Sequence, residues 1–192
     1  MMEARYMVPD IETMEKKIKP ALISAGAACL GWYGLTDIIY GPSDYNDRYV
    51  RMRIGRNARI PSLSVTLTHK AMTWGAYSRA DTMLIHKPFP DTVSADTYIA
   101  EAYSHTLTKD FAFSRDGVRY ALGDLTIFAE DILVPSLRWS VEIEGPDDAA
   151  IAACADTILG LGAPVRYSVP ALVQRRLGVH QSTKVIQLFK VK

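Results

Sequence analysis

Two short segments of this chain alternate like β-strands yet carry opposite charge: Arg48-Tyr49-Val50-Arg51-Met52-Arg53-Ile54 and Arg138-Trp139-Ser140-Val141-Glu142-Ile143-Glu144. In a strand every second side chain points the same way, so Arg51 and Arg53 share a face, as do Glu142 and Glu144. Val50, Met52, Ile54, Val141 and Ile143 take the opposite faces. A sheet over a single core keeps its charges in water and its aliphatics beneath. A closed barrel with helices packed on its outside inverts this, turning the aliphatics outward and the charges into the lumen. Such a barrel would set a basic wall against an acidic one, which suits a multiply charged anion held with a divalent metal.

The chain has 192 residues, 48% apolar and 22% charged, enough for one domain spanning 1–192 with a sizeable core. Its net charge of +1 offers no global attraction to nucleic acid or membrane, so any electrostatic function must come from local segregation of charge. Cys29 and Cys154 lie far apart in small-residue stretches and read as two buried, reduced thiols. The longest weakly polar run, Ala21 to Leu35, is shorter than the ~20 residues that span a bilayer and is broken by Gly26, Gly31 and Gly34. Glu3 stands where a secretory signal wants basic and then apolar residues, so a soluble, cytoplasmic protein is expected.

The spacing predicts a first strand over Met2–Val8, then a helix capped by Asp10 with Ile11, Met14, Ile18 and Leu22 as its apolar stripe, kinked at Pro20 and ended by Gly26. Strands follow at Cys29–Tyr33, Asp37–Tyr40, Arg48–Ile54, Ser62–Lys70 and Ala76–His86. A helix capped by Ser94 runs to about Leu107, burying Tyr98, Ile99, Ala102 and Tyr103. Further strands fall at Phe111–Ser114 with Val118–Leu122, Thr126–Leu133 and Leu137–Glu144. A helix from Pro146-Asp147-Asp148 to Leu161, another over Pro170–Leu177 and a last strand at Thr183–Val191 complete an α+β pattern.

Each charged strand alone reads as half-buried with a solvated face; their coincidence points to function. Arg51, Arg53 and Lys70 would form one polar wall, to which Arg79 and Arg115 add. Arginine's rigid two-pronged donor matches phosphate oxygens and fixes the pose of a triphosphate. Glu142 and Glu144, two apart on a strand, stand roughly 6–7 Å apart at the backbone, and their side chains can converge on one Mg²⁺ or Mn²⁺. Glu3 is a further carboxylate, with Arg5 on the same face of the first strand.

The order of these elements resembles the CYTH superfamily, the triphosphate tunnel metalloenzymes. The likeness runs through Met1-Met2-Glu3-Ala4-Arg5-Tyr6 for an opening Glu-x-Glu-x-Lys strand and Thr36-Asp37-Ile38-Ile39-Tyr40 for an aspartate and tyrosine strand. It continues through Val50-Arg51-Met52-Arg53 for Leu-Arg-x-Arg, the strand ending at Lys70 for Thr-Leu-Lys, Arg79-Ala80-Asp81 for Arg-x-Glu, and Phe113-Ser114-Arg115 for Lys-x-Arg. Val141 to Gly145 reproduces Val-Glu-Ile-Glu-Gly, and Tyr167 to Val173 echoes a closing Ser-Tyr-x-x-Leu-Leu segment. The resemblance implies an eight-stranded antiparallel β-barrel tunnel with helices outside. It implies phosphate contacts by Arg51, Arg53, Lys70, Arg79 and Arg115, a metal on Glu3, Glu142 and Glu144, and catalytic roles for Glu142, Glu144 and Arg5. Met1, Arg5 and Phe113 replace the family's first glutamate and two lysines. Loss of a carboxylate weakens metal binding, and loss of lysines narrows the routes for proton transfer.

The four histidines are scattered, and no P-loop, Rossmann fingerprint or nucleophile elbow occurs. The basic run Arg48–Arg59 reads as a strand followed by a solvated turn carrying Arg56 and Arg59, so the only nucleic acid expected as a partner is a 5′-triphosphate RNA end. The expected activity is metal-dependent hydrolysis of a triphosphate-bearing small molecule. The alternatives are cyclisation of ATP, RNA 5′-triphosphate hydrolysis, and nucleotide or polyphosphate binding without turnover. The sequence leaves the oligomeric state open, a homodimer included.

Overall fold

The computed structural model describes residues 1–41, 48–57, 64–75, 78–134 and 137–177, with the backbone alone at Asn57, Ser64, Asp81, Val134 and Leu177. The expected last strand at Thr183–Val191 lies outside these residues, as do Arg59 and His180. Eight strands, β1 Met2–Met7, β2 Ala28–Gly41, β3 Arg48–Asn57, β4 Ser64–Trp74, β5 Arg79–Phe89, β6 Thr108–Leu122, β7 Leu125–Val134 and β8 Arg138–Gly145, are joined by α1 Ile11–Thr13, α2 Lys19–Ser24, α3 Thr92–Ala102 and α4 Asp148–Ala153, with α5 Val169–Leu177 last. All neighbouring strands pair antiparallel, and the sheet closes in the order β1-β5-β4-β3-β2-β6-β7-β8.

The inversion expected from the alternating strands is present. Val50, Met52, Val141 and Ile143 are buried on the outer wall, where helices cover them. The helical stretch formed by α1, a π-helical turn at Met14–Ile18, and α2 lays Met14, Ile18 and Leu22 on Ala4 and Tyr6 of β1 and on Val8 just after it, together with α4 and its continuation Cys154–Ile158. On the other flank α3 sets Ala95 and Ile99 on Val50, Met52, Val65 and Leu67. Each fully covered aliphatic is worth about 1.5–3 kcal/mol.

Three strand-to-helix exits share one device. Pro9-Asp10, Pro90-Asp91 and Pro146-Asp147 each end the extended run, and the aspartate accepts the N–H three residues on: Thr13 at 2.7 Å, Ser94 at 2.7 Å and Ala150 at 2.8 Å. Asp91, not Ser94, therefore caps α3, and the helix stops at Ala102, an exposed residue.

Other differences have local causes. The segments expected as Cys29–Tyr33 and Asp37–Tyr40 are one strand, and so are Phe111–Ser114 and Val118–Leu122; the 14-residue β2 pairs with the 15-residue β6 across both apparent breaks. Ile11 is 53% exposed at the start of its helix, outside the apolar stripe. Cys29 is exposed where β2 begins, while Cys154 is buried. Arg56 is exposed, but on β3 rather than in a turn. Among the described residues, no helix is long and apolar enough to cross a membrane.

The lumen has an apolar end and a charged middle. Val169, Ala171 and Val173 of α5 pack against Tyr49, Phe113 and Ile132 at the apolar end. Ser168 starts this helix, its hydroxyl accepting the Ala171 N–H at 3.2 Å. Val165 N–H donates to the Arg5 carbonyl at 2.7 Å, which ties the approach to α5 onto β1.

Candidate active site

Register alone assembles the acidic side. Glu3 lies opposite Glu144 and Arg5 opposite Glu142 across β1 and β8, while Ser140 faces Glu130 across β8 and β7. Opposed residues on paired strands bring their side chains within reach of one another. One carboxylate oxygen from each of Glu3, Glu142 and Glu144 falls within 4.8 Å of the others, a grouping able to hold a metal ion. Arg5 is fixed among carboxylates: Nη2 donates to Glu142 Oε2, and Nη1 donates to Glu130 Oε2 and, at 2.7 Å, to Ser140 Oγ. Arg79 Nη2 donates to Glu3 Oε1, and Lys70 Nζ lies 3.9 Å from Glu3 Oε2.

The basic side is built around one carboxylate. Asp37 accepts two bonds from Arg53, from Nε at 2.7 Å and Nη2 at 2.8 Å. Arg51 Nη1 stands 3.8 Å from Asp37, and Arg115 bridges Asp37 at 3.5 Å and Glu130 at 3.0 Å. Arg51 Nε and Arg115 Nε are buried donors with no acceptor among the described residues. A buried donor left without an acceptor is costly, and an anionic guest removes that cost.

These fields set the ionisation states. Burial pushes the Glu142 carboxyl upward, but Arg5 and then Arg115, Arg79 and Lys70 outweigh it and bring it to about 2. Burial acts the same way on Asp37, and Arg53, Arg51 and Arg115 hold it well below the usual carboxylate range. Glu130 is lowered by Arg115 and Arg5 against the pull of burial. Burial and nearby Arg51 lower the Arg53 guanidinium despite its bond to Asp37. Tyr33, buried and donating to Glu130 at 2.5 Å, is raised well above a normal phenol.

All nine residues expected from the sequence (Glu3, Arg5, Arg51, Arg53, Lys70, Arg79, Arg115, Glu142 and Glu144) line one cavity of about 170 Å³. Val169 and Pro170 of α5 wall it at the apolar end, and exposed Met83 and His86 also line it. A bulge in β5 places Met83 opposite Lys70 and His86 opposite Thr68. The other described histidines lie elsewhere: His69 bonds Tyr103 beside α3, and His105 follows that helix.

Sequence reasoning missed three members of this network. Asp37 had entered only as part of a resembling strand, and Glu130 and Tyr33 not at all. Glu130 was findable, because Ile127 and Ala129 are the outward aliphatics that put Thr126, Phe128 and Glu130 on the inner face, as in β8.

Neither a protein-family model nor a curated protein matches the sequence. Solved structures do match its fold. The PH1819 protein from Pyrococcus horikoshii OT3 superimposes with a TM-score of 0.70 at 18% identity, covering 91% of this chain and 98% of that one. A candidate adenylyl cyclase from Hippeastrum, described as having a dominant triphosphatase activity, gives 0.65 at 8% identity over 91% and 95%. A candidate adenylate cyclase from Vibrio parahaemolyticus gives 0.59 at 9% over 90% and 96%. At these identities the likeness is one of fold: this chain has the closed tunnel barrel found in those proteins.

Proposed function

We propose that this chain is a triphosphatase: it binds the phosphate chain of a triphosphate-bearing small molecule inside the barrel and hydrolyses its terminal phosphoanhydride with the help of Mg²⁺ or Mn²⁺. The observation that carries this reading is the meeting of a five-cation wall and a three-carboxylate cluster in one small cavity. The cavity of about 170 Å³ falls below the ~300–1,000 Å³ of sites that enclose drug-sized ligands. A phosphate chain suits it, with any organic group projecting past Met83 and His86. The dominant triphosphatase activity described for the Hippeastrum protein supports the same reaction.

Glu3, Glu142 and Glu144 would hold the metal; hard oxygen donors at this spacing fit Mg²⁺ or Mn²⁺. Bound there, a divalent ion supplies Lewis-acid stabilisation of phosphoryl charge. Arg51, Arg53, Lys70, Arg79 and Arg115 bind the chain and offset the charge that develops on the transferring group. Water attacks the terminal phosphorus as the bond to the bridging oxygen breaks, yielding phosphate and the shortened chain. Lys70 brings a flexible ammonium point charge to a wall otherwise made of planar guanidinium forks. Arg5, engaged on three sides, keeps Glu142 and Glu130 ionised and in place, which makes it a positioning residue.

Incubation with Mg²⁺ or Mn²⁺ and tripolyphosphate, ATP, thiamine triphosphate or 5′-triphosphate RNA tests this. Metal-dependent release of free phosphate is the expected result. Cyclic AMP with pyrophosphate would replace the reading with a cyclase, and tight binding without product would make the chain a polyphosphate-binding protein.

A further inference from the structure

Among the metal-facing carboxylates, Glu3 has both oxygens engaged by cations of the phosphate wall. Its Oε1 accepts from Arg79, and its Oε2 lies 3.9 Å from Lys70. Glu142 is held differently: Arg5 takes Oε2 and is itself anchored by Glu130 and Ser140. A divalent ion arriving alone must compete with Arg79 and Lys70 for Glu3 and settle beside their like charges. Both cations line the cavity a polyanion would enter. Phosphate oxygens offer them replacement acceptors, and the same movement releases Glu3.

We propose that Arg79 and Lys70 form an anion-released latch on Glu3, so that metal binding is thermodynamically coupled to polyphosphate binding. This rests on the anion-and-metal reading above and adds the dependence of one ligand on the other. Coupling of this kind is reciprocal, because each ligand gains from the rearrangement the other has made. Arg5 takes no part in the release: its carboxylates belong to the barrel's fixed network, so Glu142 stays in register whatever the occupancy.

The test is a binding cycle on the full chain. Mn²⁺ affinity is read from the electron paramagnetic resonance signal of unbound Mn²⁺, with and without imidotriphosphate, whose P–N–P bridges resist hydrolysis. Chelation of Mn²⁺ by the analogue in buffer is measured separately and subtracted, and analogue binding to metal-free protein is followed calorimetrically in EDTA. The expected result is Mn²⁺ binding at least about fivefold tighter with the analogue bound, the lower end of ordinary coupling. Arg79→Gln is expected to bind Mn²⁺ alone more tightly than wild type and to lose most of the enhancement. Equal wild-type Mn²⁺ affinities in the two conditions would overturn the latch even if the protein hydrolyses triphosphate, and so would a folded Arg79→Gln that binds Mn²⁺ alone no tighter. Failure of the analogue to bind metal-free protein would overturn both the latch and the reading beneath it.

Discussion

Arg5 and Glu142 stand directly opposite each other across the β1–β8 seam, and the buried guanidinium donates into the carboxylate. The same guanidinium reaches Glu130 and Ser140, so three strands meet on one side chain. Removing one partner of a buried ion pair strands the other and typically costs 3–5 kcal/mol. Arg5→Met is therefore expected to lose roughly that much, seen as a lower urea midpoint at pH 7. Arg5→Lys should fall between, because an ammonium cannot span three acceptors in one plane. Wild-type stability in Arg5→Met would show that the network does not hold the seam.

Arg51 is built for the opposite role. Among the described residues its ion pair to Asp37 is long at 3.8 Å and its Nε has no acceptor, and its charge lowers the pKa of Arg53. Arg51→Ala should leave stability unchanged or slightly raised and weaken polyphosphate binding. A hydrogen bond to a charged group is worth about 1.5–3 kcal/mol, so affinity should fall on the order of 10- to 150-fold. Calorimetric titration with tripolyphosphate and urea unfolding of the same sample separate the two effects.

Metal dependence is better probed at Glu144 than at Glu142, whose loss would strand Arg5. Glu144→Gln keeps the shape and removes the charge of one of the three converging carboxylates. Lewis-acid assistance is worth several kcal/mol, and each 1.36 kcal/mol is tenfold in rate, so turnover should drop by on the order of 10²–10³. The Mn²⁺ concentration for half-maximal rate should rise as well. Unchanged turnover and metal requirement would remove Glu144 from the site.

The barrel was readable from strand alternation because the pattern is inverted: aliphatics at Val50, Met52, Val141 and Ile143 beside charges at Arg51, Arg53, Glu142 and Glu144 satisfy one closed arrangement with helices outside. What escaped was continuity and pairing. The glycine at position 34 looked like a break in β2, yet it sits inside the strand, where an added Cβ would come within 3.0 Å of the Trp32 ring. The inner-face carboxylate Asp37 escaped because a single charge in an apolar strand looks like an edge residue until its partners are known, and Glu130 because the adjacent Asp131 leaves charge alone unable to mark which of the two faces inward. Those partners, Arg53 and Arg115 for Asp37 and Arg5 and Arg115 for Glu130, come from other strands, and pairing between strands brings them together.

Gly117 of β6 is held to glycine by close approach. It lies opposite both Tyr33 and Glu130, and a Cβ there would fall 2.7 Å from the Ala129 carbonyl and 2.9 Å from the Tyr33 hydroxyl. The carbonyl belongs to the barrel wall and yields little, so the strand must shift and the Tyr33–Glu130 hydrogen bond must lengthen. Gly117→Ala is expected to cost about 1–3 kcal/mol, the range for overpacking, at an unchanged denaturant slope. An unaltered midpoint would show that the wall accommodates the methyl group.

Acid should dismantle the same network from within. Glu142 has its carboxyl lowered from the ordinary 4.5 to about 2. Asp37 and Glu130 are also held below their ordinary values. A carboxylate depressed in the folded state binds fewer protons there than in the unfolded chain. Its stabilising contribution is complete above the unfolded value and drains away as pH falls toward the folded one. Stability measured by urea unfolding should therefore be nearly flat between pH 7 and about 5 and decline from about pH 4.5 down to about 2. Glu142→Gln, which carries no proton to gain, should show a shallower decline over that window while starting from a lower plateau. Equal slopes in the two proteins would show that the acid sensitivity comes from carboxylates other than Glu142.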